Sequence, residues 1–348
     1  MPKAIFISDI HLTEQDVHEY RWPCLKELAQ WAADPQICMV VIGGDITDAK
    51  DYHSSALVNR IMEALYEIAA AGKPILILVG NHDYVDATTP FFRFLRHIPG
   101  VIYVDKPMVV TAPGGYRILA VPHGSPWDDY APWRSEFPLS GGYEFILAHQ
   151  TFCGATVDGA GKVLDKGPCP SLIDAELTAG APVVSGDIHQ AQVLGNLIYI
   201  GSPHPVSFGE TGGRFLTYDF ETKKFKGIKR GTIQRAVLSF ALSDSGELLE
   251  DPKFDTLKHG DHVHIHVSTS QAGLLHYPEV RNALQKKCES RGIVVFKLQP
   301  DIKDLCTNVE RVEVGAPRRT DLEVFQEFCE LNETPLDIVE MGSSYVSL

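Results

Sequence analysis

Five times along this chain a short apolar run ends on a polar segment holding Asp, Asn or His. The segments are Ser8-Asp9-Ile10-His11, Gly44-Asp45-Ile46-Thr47-Asp48, Gly80-Asn81-His82-Asp83, Ala148-His149-Gln150 and Gly186-Asp187-Ile188-His189. The runs at residues 3–8, 38–43 and 74–79 are rich in Ile and Val, as buried strands tend to be. In an α/β sheet, ligands collect outside the carboxyl ends of the strands, so five such ends can converge on one point. Gly43, Gly44, Gly80 and Gly186 suit tight turns and close backbone approach there. Carboxylate, amide oxygen and imidazole together suit Mn, Fe and Zn. A carboxylate such as Asp45 can bridge two ions. Two ions held roughly 3.5–4 Å apart activate a water and clamp both oxygens of an in-line displacement at phosphorus. One such segment would be weak evidence, because Asp and Asn also serve as turn residues at strand ends. Five in order are a strong signal.

The surrounding pattern supplies the sheets. Helical stretches at about 20–33 and 54–71 separate the first three strands, an order that argues for an α/β domain. After residue 100 strands follow closely, at 101–104, 108–112, 116–121, 144–149, 182–185, 192–200 and 214–220. They predict a second sheet, packed on the first as a sandwich with helices outside. Two long loops, 123–140 and 151–172, interrupt this part, and loops of that length are usually functional or mobile. Residues 221–231 turn basic and mark a boundary, read as a solvated turn in preference to a nucleic-acid contact. A smaller unit begins at 236, with strands at 236–242, 262–268, 293–299 and 309–315 and a helix at 278–291. A final helix is expected at about 321–331. The expected division is 1–230, 231–316 and 317–348.

Bulk properties narrow the classes. A chain of 348 residues buries a sizeable core without disulfides. Its seven cysteines are odd in number and form no C-x-x-C pair, so reduced thiols are expected rather than a disulfide framework or structural zinc. No stretch approaches the roughly 20 apolar residues of a membrane span, and the first residues carry no signal pattern. The expected location is the cytoplasm, of a bacterium or a phage-infected host. A net charge of −14 argues against a strongly basic nucleic-acid binder but does not exclude a metal-dependent nuclease.

The five segments, read as D-x-H, G-D-x-x-D, G-N-H-D, a lone His and a closing G-x-x-H, resemble the calcineurin-like metallophosphoesterases over residues 1 to about 220. That resemblance implies a four-layer α/β/β/α sandwich and two divalent metal ions. It implies that Asp9, His11, Asp45 and His189 serve one metal, and that Asp45, Asn81, His149 and Asp187 serve the other. It implies that His82 faces the scissile phosphate and protonates the leaving oxygen or stabilises its charge, with Asp83 orienting His82. Many relatives close with G-H-x-H, whereas this chain has Asp at 187. Asp48 stands where some DNA-cleaving relatives have His, and can orient a ligand from behind or serve as a turn residue.

Further resemblance is finer. Gly201-Ser202-Pro203-His204-Pro205-Val206-Ser207-Phe208-Gly209-Glu210 is similar to a segment that follows the last metal His in SbcD-type DNA exonuclease subunits. It brings in Glu210 as a residue behind a ligand or at the substrate. The unit after residue 231 is similar in position to that family's capping domain. The resemblance implies a Mn-dependent nuclease acting on DNA ends in repair and recombination, a homodimer, and an SbcC-type coiled-coil ATPase partner. The chain is short for that family, as compact phage versions are. The competing reading is a small-molecule or nucleotide phosphodiesterase or phosphatase on the same fold, which the acidic charge and Asp187 favour; a binding protein with an inactive centre ranks below both. His262, His264 and His266 alternate with Val263, Ile265 and Val267, which predicts one histidine face, solvated or facing DNA, and one core face. His123, Trp127 and Trp133 either stack on bases or anchor the long loop. Leu322, Phe325, Phe328 and Cys329 fall at helical spacing, for packing or for docking a partner.

Overall fold

Alternation decides which layer each side chain joins. In β1 (Lys3–Ile7) Ala4 and Phe6 point one way and Ile5 and Ile7 the other, and all four are fully buried. The strand is therefore sandwiched. The computed structural model describes residues 1–302 apart from 87, 129, 158–160, 211, 251 and 253. Residues Met1–Asp301 form one compact unit. The expected strand at 309–315 and helix at 321–331 lie outside the described residues.

The first half runs through α1 (Pro23–Ala33), β2 (Ile37–Ile42), α2 (Ser55–Ala69), β3 (Ile75–Leu78) and β4 (Val101–Val104). Helix α2 is capped by Ser54, whose hydroxyl accepts the Leu57 N–H at 3.1 Å. It buries Leu57, Ile61, Leu65 and Ile68, one stripe at helical spacing. The helix expected from residue 20 starts at Pro23, which sits in the first turn where its missing N–H is no loss. The preceding Asp16–Arg21 is a 3-10 turn.

Next come β5 (Met108–Ala112), β6 (Tyr116–Val121), α3 (Pro132–Glu136), β7 (Phe145–His149), β8 (Val183–Gly186), β9 (Gln192–Leu194) and β10 (Leu197–Tyr199). After these, β11 (Arg214–Asp219) and β12 (Lys224–Lys229) form a hairpin. The last described elements are β13 (Arg235–Ala241), β14 (His262–Thr269), α4 (Tyr277–Glu289) and β15 (Val294–Ile302).

The first sheet has the order β12-β11-β1-β2-β3-β4 and the second β5-β6-β7-β8-β10-β9. Strands β1 to β4 are parallel neighbours, and so are β6, β7, β8 and β10. This corrects the expected assignment in four places. Val101–Val104 extends the first sheet, beside Ile75–Leu78, and β11 returns to pair antiparallel with β1. The run 192–200 is broken at Gly195 into two antiparallel strands. The basic stretch is not a turn but the edge strand β12, whose Lys224, Lys226 and Lys229 are exposed. Lysines on an edge discourage pairing with another chain.

One core cluster fills the space between the sheets, with Phe6, Val41 and Leu78 facing Ile118, Phe145 and Leu147. A second packs α1 and α2 on the outer face of the first sheet. The third covers the outer face of the second sheet, and here the layer is loop broken only by the short α3 and a 3-10 turn, with Trp127 and Phe152 packing from loops, Trp133 from α3 and Ile173 from the turn. The fold is thus mixed α/β with stacked sheets. The third sheet, β13-β14-β15, packs α4 over Val263, Ile265 and Val267. Its histidine face is not simply solvated, since His262 is buried with its ring 5.3 Å from Tyr20. Phe296 and Phe208 lie on the same face, with the Arg235 guanidinium over both rings. No helix among the described residues is long and apolar enough to cross a membrane.

Candidate metal centre

The backbone is bent where the chemistry gathers. Asp9, His11, Asp45 and Asp187 hold left-handed conformations, with φ of 55°, 49°, 54° and 81°. Among the described non-glycine residues only Ala179 and Lys223 share that region. Such a residue costs about 1–3 kcal/mol and persists where the surroundings over-determine it. Here they do. The Asp9 N–H donates to Gly44 O at 3.1 Å, and the Ile10 and His11 N–H groups donate to Asp45 O at 2.9 and 3.0 Å. The first two strand-end turns therefore fold onto each other. Gly44 is itself at φ 109°, and a Cβ there would lie 2.9 Å from the Gly80 backbone and against the His149 ring.

Each imidazole is pinned from behind. His149 Nδ1 donates to Gly43 O at 2.7 Å, His189 Nδ1 lies 2.8 Å from Glu210 Oε1, and His11 Nδ1 lies 3.4 Å from Asp48 Oδ1. A partner on Nδ1 leaves Nε2 for a ligand bond. The Nε2 atoms then point inward. His11 and His189 bring theirs to 3.1 Å of each other. Asp45 spans two groups of donors, with Oδ2 3.6 Å from His11 Nε2 and Oδ1 3.4 Å from His149 Nε2. His149 Nε2 is also 3.1 Å from Asn81 Oδ1 and 3.9 Å from Asp187 Oδ1. Asp9 takes the Asp187 N–H on Oδ1 at 2.9 Å and keeps a buried Oδ2 without a protein partner.

These donor atoms fit cations. Lone pairs on two Nε2 atoms and several carboxylate oxygens face one another, an arrangement that repels itself unless positive charge lies between. Asn81 repeats the pattern: its carbonyl oxygen faces only acceptors, where the turned-over amide would donate to Asp45 at 2.8 and 3.1 Å. Three overlapping sets, Asp9–His11–His189, His11–Asp45–His82 and Asp9–Asp45–His149, each bring three donor atoms within 4.8 Å of one another. His82 enters one set because its ring lies 4.7 Å from that of His11. Its Nδ1 donates to Asp48 O at 2.6 Å, which leaves Nε2 as its available nitrogen.

The electrostatics reflect the crowding. Burial raises the pKa of Asp9. Burial would lower that of His149, but Asp45, Asp9 and Asp187 hold it well above the ordinary imidazole value. The His11 imidazole beside it, more than any other neighbour, brings Asp48 down to about 2.

Asp83 does not orient His82. Its carboxylate accepts the N–H groups of Gly80 at 2.8 Å, Asp45 at 3.0 Å and Ile46 at 3.1 Å. It staples the Asn81 turn to the Asp45 turn, because buried N–H groups at a left-handed bend need an acceptor. Asp48 and Glu210 lie behind His11 and His189, as their partners.

Sequence reading missed other supports. Arg21 is buried, donates to His11 O and to Val206 O at 3.3 Å, and lies 3.7 Å from Asp48. His204 is fully buried and donates from Nε2 to Ile10 O at 2.8 Å. The Thr151 hydroxyl donates to Asp187 Oδ2. Nothing in local spacing marks these residues, since each acts across the fold. Trp127 and Trp133 anchor the loop in the core, and His123 lies beside the centre with its ring 6.2 Å from His149.

Residues 2–165 match the model of the calcineurin-like phosphoesterase family. That match covers a little under half of the chain and holds the first four of the five polar segments. No curated protein matches the sequence. Similar solved structures include an archaeal phosphodiesterase, at 12% identity over 66% of this chain and 99% of that one, with a TM-score of 0.36. A hypothetical protein from Pyrococcus horikoshii OT3 aligns at 15% identity over 67% of this chain and 89% of its own, TM-score 0.38. A dimetal phosphatase from Danio rerio aligns at 12% identity over 67% and 96%, TM-score 0.38. Metallophosphoesterases of this family use two divalent metals, and the clustered donors are of the kind such metals take.

Proposed function

We propose that the chain is a two-metal phosphodiesterase acting on nucleic acid, an SbcD-like DNA nuclease subunit. The observation that carries the phosphodiesterase part is Asp45, whose two oxygens each face a different group of converging donors. Asp9, His11 and His189 would hold one ion with Asp45; Asn81, His149 and Asp187 would hold the other. Two such ions, when bound, supply Lewis acidity and lower the pKa of water. The chain's own residues do the rest. Glu210, Asp48 and Gly43 O fix which imidazole nitrogens face inward. His82 has Nε2 facing away from its Asp48 contact, and when protonated there as well as at Nδ1 it can give that proton to the leaving oxygen. Three of the four donors in the second group are oxygens, a set that suits a hard ion such as Mn.

The DNA part is supported by the segment from Gly201 to Glu210. It braces the ligand turns through His204 and Glu210, and it meets the β13 end of the third sheet where the Gly209 N–H donates to Arg235 O at 2.8 Å. A unit joined to the centre in this way can bracket a long substrate. With this reading go action at DNA ends, a homodimer and an SbcC-type ATPase partner. A second reading, hydrolysis of free nucleotide esters, is favoured by the net charge of −14. The test is hydrolysis of linear DNA and of an activated phosphodiester, with Mn²⁺ and with EDTA. Mn-dependent loss of DNA supports the nuclease. Turnover of the small ester with DNA left intact in the presence of the ATPase would replace it by the second reading.

A further inference from the structure

Asn81 also lines a cavity of about 670 Å³ whose walls include Lys50, Tyr84, Val85, Asp86 and His123. A group bound there would be attached to a phosphate at the metal centre, because Asn81 belongs to both. The walls are of an unusual mix for a surface beside a carboxylate-rich centre. Tyr84 and His123 present two ring surfaces, 6.3 Å apart between centroids and inclined at 60°. Both are held in place: the Tyr84 hydroxyl donates to His123 O at 3.2 Å, and the His123 N–H donates to Val79 O at 2.9 Å. Val85 adds an exposed aliphatic face. Lys50 carries a positive charge to this wall, and no ion pair holds it among the described residues. Asp86 spends Oδ1 on its own turn, accepting from Thr88 and Thr89. Its other oxygen and the exposed Asp51 remain as acceptors on the rim.

This combination discriminates among phosphate esters. A lipid chain would want aliphatic walls, and Val85 alone supplies one. A second anionic headgroup would meet Asp51 and Asp86. A flat heterocycle with N–H groups on its edge suits both the rings and the carboxylates, as single-stranded bases stack on aromatic side chains. We propose that the cavity is a nucleobase subsite. The base stacks on Tyr84 and His123, and Lys50 takes a phosphate oxygen of the same nucleotide. This rests on the phosphodiesterase reading and names one of its ester groups.

Equilibrium binding tests it without turnover. Adenosine 5′-monophosphate and methyl phosphate carry the same phosphate charge, so the ratio of their affinities for the Mn-loaded protein isolates the base. The expected ratio is about tenfold or more in favour of the nucleotide. It should fall toward one in Tyr84→Ala and in His123→Ala, and persist in Tyr84→Phe, which keeps the ring. Lys50→Ala should weaken both ligands together and leave the ratio high. Equal affinities in the wild type, or a ratio indifferent to Tyr84→Ala, would overturn the proposal. If the base-dependent ratio holds while no phosphodiester is cleaved, the subsite stands and the phosphodiesterase reading falls.

Discussion

The two sheets are covered in different ways. The outer face of the first is closed by two amphipathic helices, and that of the second mainly by loops that carry Trp127 and Phe152 into the core, with Trp133 on the five-residue α3 between them. Helices write their packing into sequence as a period of 3.6, whereas a loop packs through single large side chains at no fixed spacing. The difference teaches where function has room. A helix must bury a continuous stripe. The loop-covered side can leave a cavity next to the metal centre, and His123 and Gly124 on its first long loop line one.

If the loop layer is true core, its anchors should weigh as much as helix anchors. Trp127→Ala is expected to cost about 3–5 kcal/mol, at least as much as Leu65→Ala on α2, in denaturant unfolding. An unchanged midpoint for Trp127→Ala would make the loops a mere cover and break the comparison. The supports behind the ligands come next. Glu210→Gln should weaken Mn²⁺ binding about 10–100-fold by calorimetry. Asp48→Asn should do less, because the Asp48 side chain is 47% exposed against 8% for Glu210. Equal losses would mean that burial does not set the strength of these contacts.

A further joint lies where the 3-10 turn Asp16–Arg21 meets the third sheet. Burial, then the nearby arginines, push both His18 and His262 down to about 4. An unfolded histidine titrates near 6.5, so between about 6.5 and 4 the unfolded chain binds more protons than the folded one. Stability should therefore fall as pH drops through that window and level off below it. Measured in EDTA, to keep metal out of the balance, the fall should be shallower in His262→Gln than in wild type. A parallel pH profile would remove His262 from the joint. The smallest effect is at the α2 cap, where Ser54→Ala should cost about 1 kcal/mol in the same unfolding assay. No change there would mean that tertiary packing alone holds the helix.

Most of the centre was legible because each ligand candidate follows an apolar run, and strand ends on one edge of a sheet must meet. The parallel strands were legible by composition for the same reason. What stayed hidden depends on partners far away in sequence. Asp83 looked like a partner for its neighbour His82, yet backbone N–H groups at two bends needed an acceptor more. Arg21 drew no reading and His204 stood only as part of the segment 201–210, because nothing local tells that they brace His11 and Ile10. Val101–Val104 was read into the second sheet, since strand sequence does not name the neighbour it pairs with. The alternation of His262, His264 and His266 gave the right faces, but only the fold puts Tyr20 against the first of them.

The proposed centre stands or falls on two metals sharing Asp45. Electron paramagnetic resonance of the Mn-reconstituted protein tests it most directly. The expected spectrum is that of two exchange-coupled Mn²⁺ ions per chain, replaced in Asp45→Ala by that of uncoupled or weakly bound ions. A wild-type spectrum of isolated Mn²⁺ at full loading, or coupling that survives Asp45→Ala, would contradict it.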